Sequence, residues 1–346
     1  MPPERVTARG PGRVNLIGEH TDYNLGLCLP FAVERGVTVR AERAETGIVH
    51  ARALDLGESD RFALGAVEPA SGWRAFVRGV AAELSSAGIE LPGARLEISG
   101  DLPRGMGLAS SAALETALCL ALLALAGAAV PDPRELARLC SLVEQRWTGA
   151  QTGLLDQLAS LLGRPGHALF LDCRDLGIEQ IPLDLDGFTL AVLDSGSRPS
   201  LAGAESGYSV RRRECAEACR ALGVASLREA EKPRAEQLPE PLRDRALHVI
   251  SENERVLEAV AALRRRDTPA LGGLLDASHA SLRDRYDVSV PEVEDTVARL
   301  KRGGAASARI MGGGFGGAVL ALFPPDVATP DGALPVGPAA GARLLA

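Results

Sequence analysis

Short apolar runs alternate with glycine, proline and charge over residues 5–64: VNLI at 14–17, LCLPFAV at 27–33 and GVTVRAE at 36–42. That pattern predicts a β-rich stretch. The helical spacing of Trp73, Phe76, Val77, Val80 and Leu84 predicts an amphipathic helix over 73–86. Residues 94–99 alternate as a strand does and end at Gly100. A glycine-containing loop, LPRGMGLASSAA, then feeds a long apolar helix that stops at Gly127. Asp132-Pro133 opens a further helix running to 147, with an apolar stripe through Leu136, Leu139, Leu142 and Val143. A short helix is expected over 153–162, and strands over 167–172 and 189–194. Four helices follow, near 204–222, 241–264, 268–284 and 291–302. A strand at 308–311, the run GGGFGG at 312–317 and a strand at 318–323 close the pattern; the tail from Pro324 reads as coil. There is no internal repeat and no long low-complexity linker.

At 346 residues the chain exceeds the roughly 250–300 residues at which single cores stop growing. The seam falls at 183–188, giving one domain over 1–183 and an α+β second domain over 184–346. Apolar residues are 46% and aromatics 3%, so Leu, Val and Ala must do most of the packing. The net charge of −7 argues against a nucleic-acid partner, which would call for a basic face. The basic residues are almost all Arg, with Lys only at 232 and 301. Genome bias accounts for that first, although Arg also suits phosphate where a planar fork is useful. The N-terminal MPPERVTARG lacks the apolar core of a signal peptide. The longest apolar run, 117–130, falls short of the roughly 20 residues of a membrane span, so no membrane association is expected. The six cysteines, at 28, 119, 140, 173, 215 and 219, form no CxxC pair. They read as small buried thiols in a reducing cytoplasm.

Residues 10–23, GPGRVNLIGEHTDY, gather Arg13, Glu19, His20 and Asp22 among Gly10, Gly12 and Gly18. A core strand needs VNLI but not the charges after it, and buried charges cost several kcal/mol each unless paired. Set against an exposed turn with solvated charges, the flanking strand and glycines favour a binding rim. Residues 105–113, GMGLASSAA, run into the apolar helix. Glycines let backbone amides approach a ligand, and a helix N-terminus attracts phosphate. There is no Lys at the place a Walker loop requires. On spacing alone, Ser110 serves equally as an ordinary helix cap. Taken singly, Glu144 reads as an exposed helix carboxylate, Asp156 as a capping residue and Arg13 as a surface strand charge. His50, His167, His248 and His279 lack metal-ligand spacing, and the basic run 211–213 reads as a solvated helix face or as ion pairs with Glu214 and Glu217.

The three glycine-rich stretches, in their order, resemble the GHMP small-molecule kinases. GRVNLIGEHTDY is similar to the signature of the galactokinase family. The stretches GLLDQLASLLGRPGHALFLDCR (153–174), GYSVRRREC (207–215), SENERV (251–256) and HASLRDRYDVSVPEV (279–293) extend the likeness from about Ala8 to Leu322. The resemblance implies a two-domain α+β GHMP kinase fold with its active site in the cleft between the domains. It implies an ATP phosphate loop made of Gly107, Leu108, Ala109, Ser110, Ser111, Ala112 and Ala113, and Mg²⁺ held by Ser111 and Glu144. It makes Asp156 the catalytic carboxylate with Arg13 as its partner. It assigns Glu19, His20 and Asp22, with Gly153 and Tyr208, to galactose hydroxyls. The implied reaction moves the γ-phosphoryl of ATP to the anomeric hydroxyl of α-D-galactose, the first committed step of galactose catabolism, in a monomeric enzyme. Ala109 stands where many of the family have Ser, and the tail after residue 323 is short, although PAAGARLL resembles the family's closing strand. Two alternatives stand beside this: a sister kinase of N-acetylgalactosamine or arabinose, and a non-catalytic galactose and ATP sensor. EHTDYN favours galactose, and the retained SSAA, Arg13 and Asp156 disfavour the sensor.

Overall fold

The structure, a computed structural model, describes residues 2–103, 105–150, 153–198 and 206–345. In chain order the first half contains β1 (Arg5–Asn15), β2 (Leu27–Cys28), β3 (Pro30–Arg43), β4 (Ile48–Ala53), β5 (Glu58–Ala63), α1 (Trp73–Ser86), β6 (Ala94–Gly100), α2 (Ser110–Ala126), α3 (Pro133–Val143), α4 (Leu155–Leu162), β7 (His167–Asp172) and β8 (Gly177–Pro182). The second half contains β9 (Thr189–Asp194), α5 (Gly207–Leu222), α6 (Lys232–Ala235), α7 (Leu242–Arg264), α8 (Thr268–Asp284), α9 (Pro291–Arg302), β10 (Ser307–Met311), β11 (Ala318–Phe323), β12 (Leu334–Val336) and β13 (Arg343–Leu345).

The first sheet has the order β13-β1-β3-β6-β4-β5; β4 and β6 run parallel, and the other neighbours antiparallel. Its inner face carries α2, whose residues 112–123 are all buried. That explains why this helix shows no polar stripe: it is surrounded by β1, β3, α1 and α4. Gly10 lets α2 lie against β1, because a Cβ there would stand 2.0 Å from the Ala113 carbonyl oxygen. The second sheet, β10-β11-β9-β12, is antiparallel, with α8 and α9 packed on β10. A small sheet, β2-β7-β8, lies between. One apolar cluster fastens the two halves together: Val14, Leu16 and Ile17 pack with Met106, Leu108, Val256, Leu275, Met311 and Leu320.

Three features depart from the sequence pattern. The expected helix to 147 breaks at Val143 into a π-turn over Glu144–Thr148; such bulges sit frequently at functional sites. Gly177–Pro182 forms a strand, β8, where the sequence showed only polar-apolar irregularity. The tail is not all coil: residues 343–345 pair with β1 at residues 7–9, so the last strand belongs to the first sheet. All six cysteines are free, and Cys173 and Cys219 are only half-buried.

Gly10→Ala is expected to lower stability by about 1–3 kcal/mol, because the obstacle is backbone and cannot rotate away. Thermal unfolding of the purified variant checks this; an unchanged Tm would show that α2 is not tightly seated on β1.

Candidate active site

Arg13 lies near the end of β1, where the strand shifts register between Pro11 and Arg13. It is buried, not the surface charge its strand position alone suggests. Its Nε donates to Asp156 Oδ1 at 2.8 Å and its Nη2 to Oδ2 at 2.9 Å. This two-pronged pairing is the geometry a guanidinium makes best with a carboxylate. Arg13 Nη1 also donates to the Gly107 carbonyl, and its own amide to the Leu108 carbonyl at 3.0 Å. One side chain therefore ties the carboxylate to the glycine loop. Burial works against the Arg13 charge, but Asp156, Glu19 and Asp22 outweigh it and raise its pKa. Asp156 sits in the first turn of α4, whose N-cap is Leu154; Asp156 is not the helix cap.

Glu19 is buried and reaches into the second half of the chain. Its Oε1 accepts from the Gly312 amide at 2.8 Å and lies 3.1 Å from Arg309 Nη2. Arg309, fully buried in β10, also donates from Nη1 to the Asn15 and Leu16 carbonyls at 3.0 and 2.7 Å. The sequence reading missed Arg309; its only signal was a lone Arg in the apolar strand SARIM. The GGGFGG run is thus both the hairpin turn between β10 and β11 and a wall of the site.

The loop carrying Glu19 to Asp22 is held from outside. Glu252 on α7 accepts from the Gly18 amide at 3.0 Å and from the Ser278 hydroxyl at 2.7 Å, and Arg255 donates to it at 2.7 Å. Burial alone would raise the Glu252 carboxyl; Arg255 and its other partners instead bring it down to about 2. Asn253 Oδ1 accepts from the Leu27 amide at 2.7 Å. His248, fully buried, lies with Nε2 3.2 Å from the Glu19 carbonyl and Nδ1 2.8 Å from the Ser281 hydroxyl. Burial lowers its pKa to about 4, so it is neutral and not a charge. The SENERV stretch owes its residues to this grip. Within the loop, His20 adopts φ 61°, a left-handed conformation that costs a non-glycine residue of order 1–3 kcal/mol.

Asp22 is half-buried, and burial pushes its carboxyl up to about 6; Asp156 and Glu19 push the same way, against the Tyr23 amide and Arg212. Gly153 touches it: a Cβ there would stand 2.1 Å from Asp22 Oδ2. Tyr208 enters from α5, its ring 5.7 Å from that of His20. Arg211, read as a solvated or paired cation, is buried and bonded to Glu214 and Asp287. The structure brings Arg13, Glu19, His20, Asp22, Gly153, Asp156 and Tyr208 to one place.

The glycine loop ends at Ala109 (φ 54°), which is the N-cap of α2 and supplies no capping oxygen. Neither Ser110 nor Ser111 caps the helix, so its first amides face outward, as anion binding requires. Beside them lies a 470 Å³ cavity lined by Val37, Leu56, Trp73, Phe76, Leu102, Ser110 and Ser111. Its apolar walls went unread in the sequence because Trp73 and Phe76 also satisfy a helix's buried stripe. Glu144 opens the π-turn and is buried. Glu115, four residues beyond Ser111 on α2, is fully buried; burial raises its carboxyl well above the usual range, and its Oε1 has no hydrogen-bond partner among the described residues.

Residues 2–43 match the galactokinase galactose-binding signature, 75–164 the GHMP kinase N-terminal domain and 259–330 the GHMP kinase C-terminal domain. A Roseiflexus galactokinase is 42% identical over 328 residues, spanning 92% of this chain and 83% of that protein. A Thermotoga maritima galactokinase is 40% identical over 318 residues, spanning 92% and 89%. The crystal structure of Lactococcus lactis galactokinase complexed with galactose superposes with a TM-score of 0.91 at 32% identity, covering 99% of this chain and 95% of that one. A mevalonate kinase at 18% identity and a TM-score of 0.68 shares the fold alone. Fold and site together define a GHMP-type small-molecule kinase. Within that class the chain belongs to the galactokinase family, and its activity is that of a galactokinase.

Two outcomes follow from the geometry. Arg13→Lys keeps a charge but loses the fork and the Gly107 tether; galactokinase kcat is expected to fall at least about 100-fold, within the range of a lost electrostatic group. Protonation removes the negative charge of Asp22 beside Asp156 and Glu19. kcat/KM for the sugar should therefore decline as pH drops through about 6, where Asp22 takes up a proton. Burial holds His20 neutral well below its usual 6.5, so the inflection belongs to Asp22 and Asp22→Asn should abolish it in a pH–rate profile.

Proposed function

We propose that this galactokinase uses Asp156 to accept the proton of the anomeric hydroxyl of α-D-galactose as that oxygen attacks the γ-phosphorus of ATP. The observation that carries the reading is the double hydrogen bond from Arg13 to Asp156, with the same guanidinium tethered to Gly107. Phosphoryl transfer needs in-line placement and charge stabilisation more than covalent chemistry. Arg13 holds the carboxylate in place by its two-pronged hydrogen bond and meets the charge that develops on the attacking oxygen and the transferring group. Glu19 and Asp22 are acceptors, matched to sugar hydroxyls that donate; His20, Gly153 and Tyr208 complete the wall. A site built on such bonds discriminates strongly against a sugar whose hydroxyls point elsewhere.

ATP fits the second half of the site. The uncapped amides of α2 and residues 107–113 suit its phosphates, and the cavity beside Trp73 and Phe76 suits its base. The residues present also fit Mg²⁺: Ser111 and Glu144 are hard oxygen donors, and the orphaned Glu115 oxygen lies on the same helix, one turn past Ser111. Bound there, the ion neutralises charge on the phosphate oxygens. We place the division between the two halves at residues 183 and 184, with β13 returned to the first sheet. We infer a cytoplasmic location, in keeping with six free thiols; among the described residues no helix is long and apolar enough to cross a membrane.

Asp156→Ala tests the assignment. Calorimetry should find galactose affinity within several-fold of the parent, while ADP release falls by 10² or more; a fully active variant overturns the role. The same coupled assay with galactose, glucose, N-acetylgalactosamine and no sugar should show ADP release with galactose far above the rest. Equal turnover of glucose would refute the sugar assignment.

A further inference from the structure

Among the described residues, only Nδ1 of the His20 ring meets full hydrogen-bond geometry with a partner. Nδ1 lies 2.8 Å from the Tyr23 hydroxyl. That hydroxyl lies 2.9 Å from the Tyr286 hydroxyl, which lies 2.9 Å from Cys215 Sγ. Nε2 is buried with no hydrogen-bond partner among the described residues; the Gly313 backbone is near the ring and favours its protonation, but does not meet hydrogen-bond geometry with Nε2. Three tyrosines confine the ring, with centroids at 5.9 Å (Tyr23, edge-on), 5.7 Å (Tyr208) and 4.7 Å (Tyr286). A buried ring nitrogen left without a partner is unfavourable, and a ligand atom relieves that cost.

The imidazole is neutral, so one nitrogen carries hydrogen and the other a lone pair; whatever meets Nδ1 decides which. Burial pushes the Tyr23 and Tyr286 hydroxyls well above 10 and the Cys215 thiol up to about 11, so every link in the chain keeps its hydrogen. The Asn24 amide points its Nδ2 at Cys215 Sγ, 3.7 Å away. Either atom of each pair can donate. In one of the two senses Cys215 S–H donates to Tyr286, Tyr286 O–H to Tyr23 and Tyr23 O–H to Nδ1, which leaves hydrogen on Nε2; the Gly313 backbone, which favours hydrogen on the ring while Nδ1 faces Tyr23, supports that sense.

We propose that Tyr23, backed by Tyr286 and Cys215, is a positioning residue that locks His20 as the Nε2–H tautomer, making it a fixed hydrogen-bond donor to a sugar oxygen. The inference rests on His20 meeting the sugar, as proposed above. It adds a specificity element: Glu19 and Asp22 accept from hydroxyls, whereas His20 demands an oxygen that can accept. No proton moves along the chain during turnover; its task is to hold one orientation.

The test combines kinetics with ¹⁵N NMR of histidine-labelled enzyme. In the parent, the His20 signals should show hydrogen on Nε2 and a lone pair on Nδ1. Tyr23→Phe should give a mixed or reversed tautomer and raise the galactose KM about 10-fold, with kcat and the ATP KM within about 3-fold. Cys215→Ala should shift the tautomer in the same direction more weakly, and Cys215→Ser, which keeps a donor, should restore it. A parent spectrum with hydrogen on Nδ1, or an unchanged tautomer and KM in folded Tyr23→Phe, overturns the proposal. His20→Ala separates the two layers. If it leaves the galactose KM unchanged, His20 does not meet the sugar and both readings fall. If it raises KM while Tyr23→Phe does not, only the tautomer lock falls.

Discussion

A guanidinium and a carboxylate 143 residues apart in sequence close on each other by two parallel hydrogen bonds, and the rest of the molecule is arranged around that closure. The Arg13 charge, buried without a partner, would cost several kcal/mol. Together they are tolerated, provided that β1 and the first turn of α4 are held in fixed register. Gly10 seats β1 on α2, and the Ser160 hydroxyl of α4 donates to the Pro11 carbonyl at 2.8 Å, fixing α4 to the same strand. The third hydrogen bond of Arg13, to Gly107, makes the glycine loop part of the same rigid unit. Asp156 and that loop therefore cannot drift independently, as the proposed in-line transfer requires.

The loop that carries Glu19, His20 and Asp22 follows a different logic. It belongs to the first half of the chain, but the second half immobilises it, through Glu252 at Gly18, Asn253 at Leu27, His248 at the Glu19 carbonyl and Arg309 at Asn15, Leu16 and Glu19. This outside grip supports the left-handed backbone of His20 and keeps two carboxylates, Glu19 and Asp22, in one cleft with Asp156. Rigidity of that kind removes ordering entropy from substrate binding. It also explains why the apolar cluster around Val14, Leu16 and Ile17 spans both halves: hinge-like freedom there would loosen that loop.

The glycine loop leaves the start of α2 without a side-chain cap. A serine at the N-cap would satisfy an amide, whereas Ala109 in a left-handed conformation leaves the first turn of α2 open. The helix offsets this by burying residues 112–123 on every side. Apolar packing thus supports a polar, unsatisfied helix terminus, of the kind that attracts anions.

Most elements were legible in the chain itself, whereas Asp156, Gly153, Tyr208 and Glu144 entered only through the resemblance. Helix and strand periodicity, glycine stops and the Asp-Pro opening are local signals, and α1, α2, α7, α8, α9, β10 and β11 fall where those signals put them. The crowding of Arg13, Glu19, His20 and Asp22 after a strand was visible for the same reason. Folding alone decided which charges are paired. Arg13 reads as a surface strand charge until packing buries it; of the two readings of Arg211, solvated or paired, the structure bears out the ion pair with Glu214 and adds burial and Asp287; the value of Arg309, Glu252 and the Tyr23–Tyr286–Cys215 chain exists only once distant elements meet. The π-turn at Glu144 and the return of β13 to β1 are equally non-local, since each depends on what the backbone packs against. Periodicity and turn chemistry are written over a few consecutive residues; convergence of polar groups depends on the packing of whole layers, which no short stretch of sequence carries.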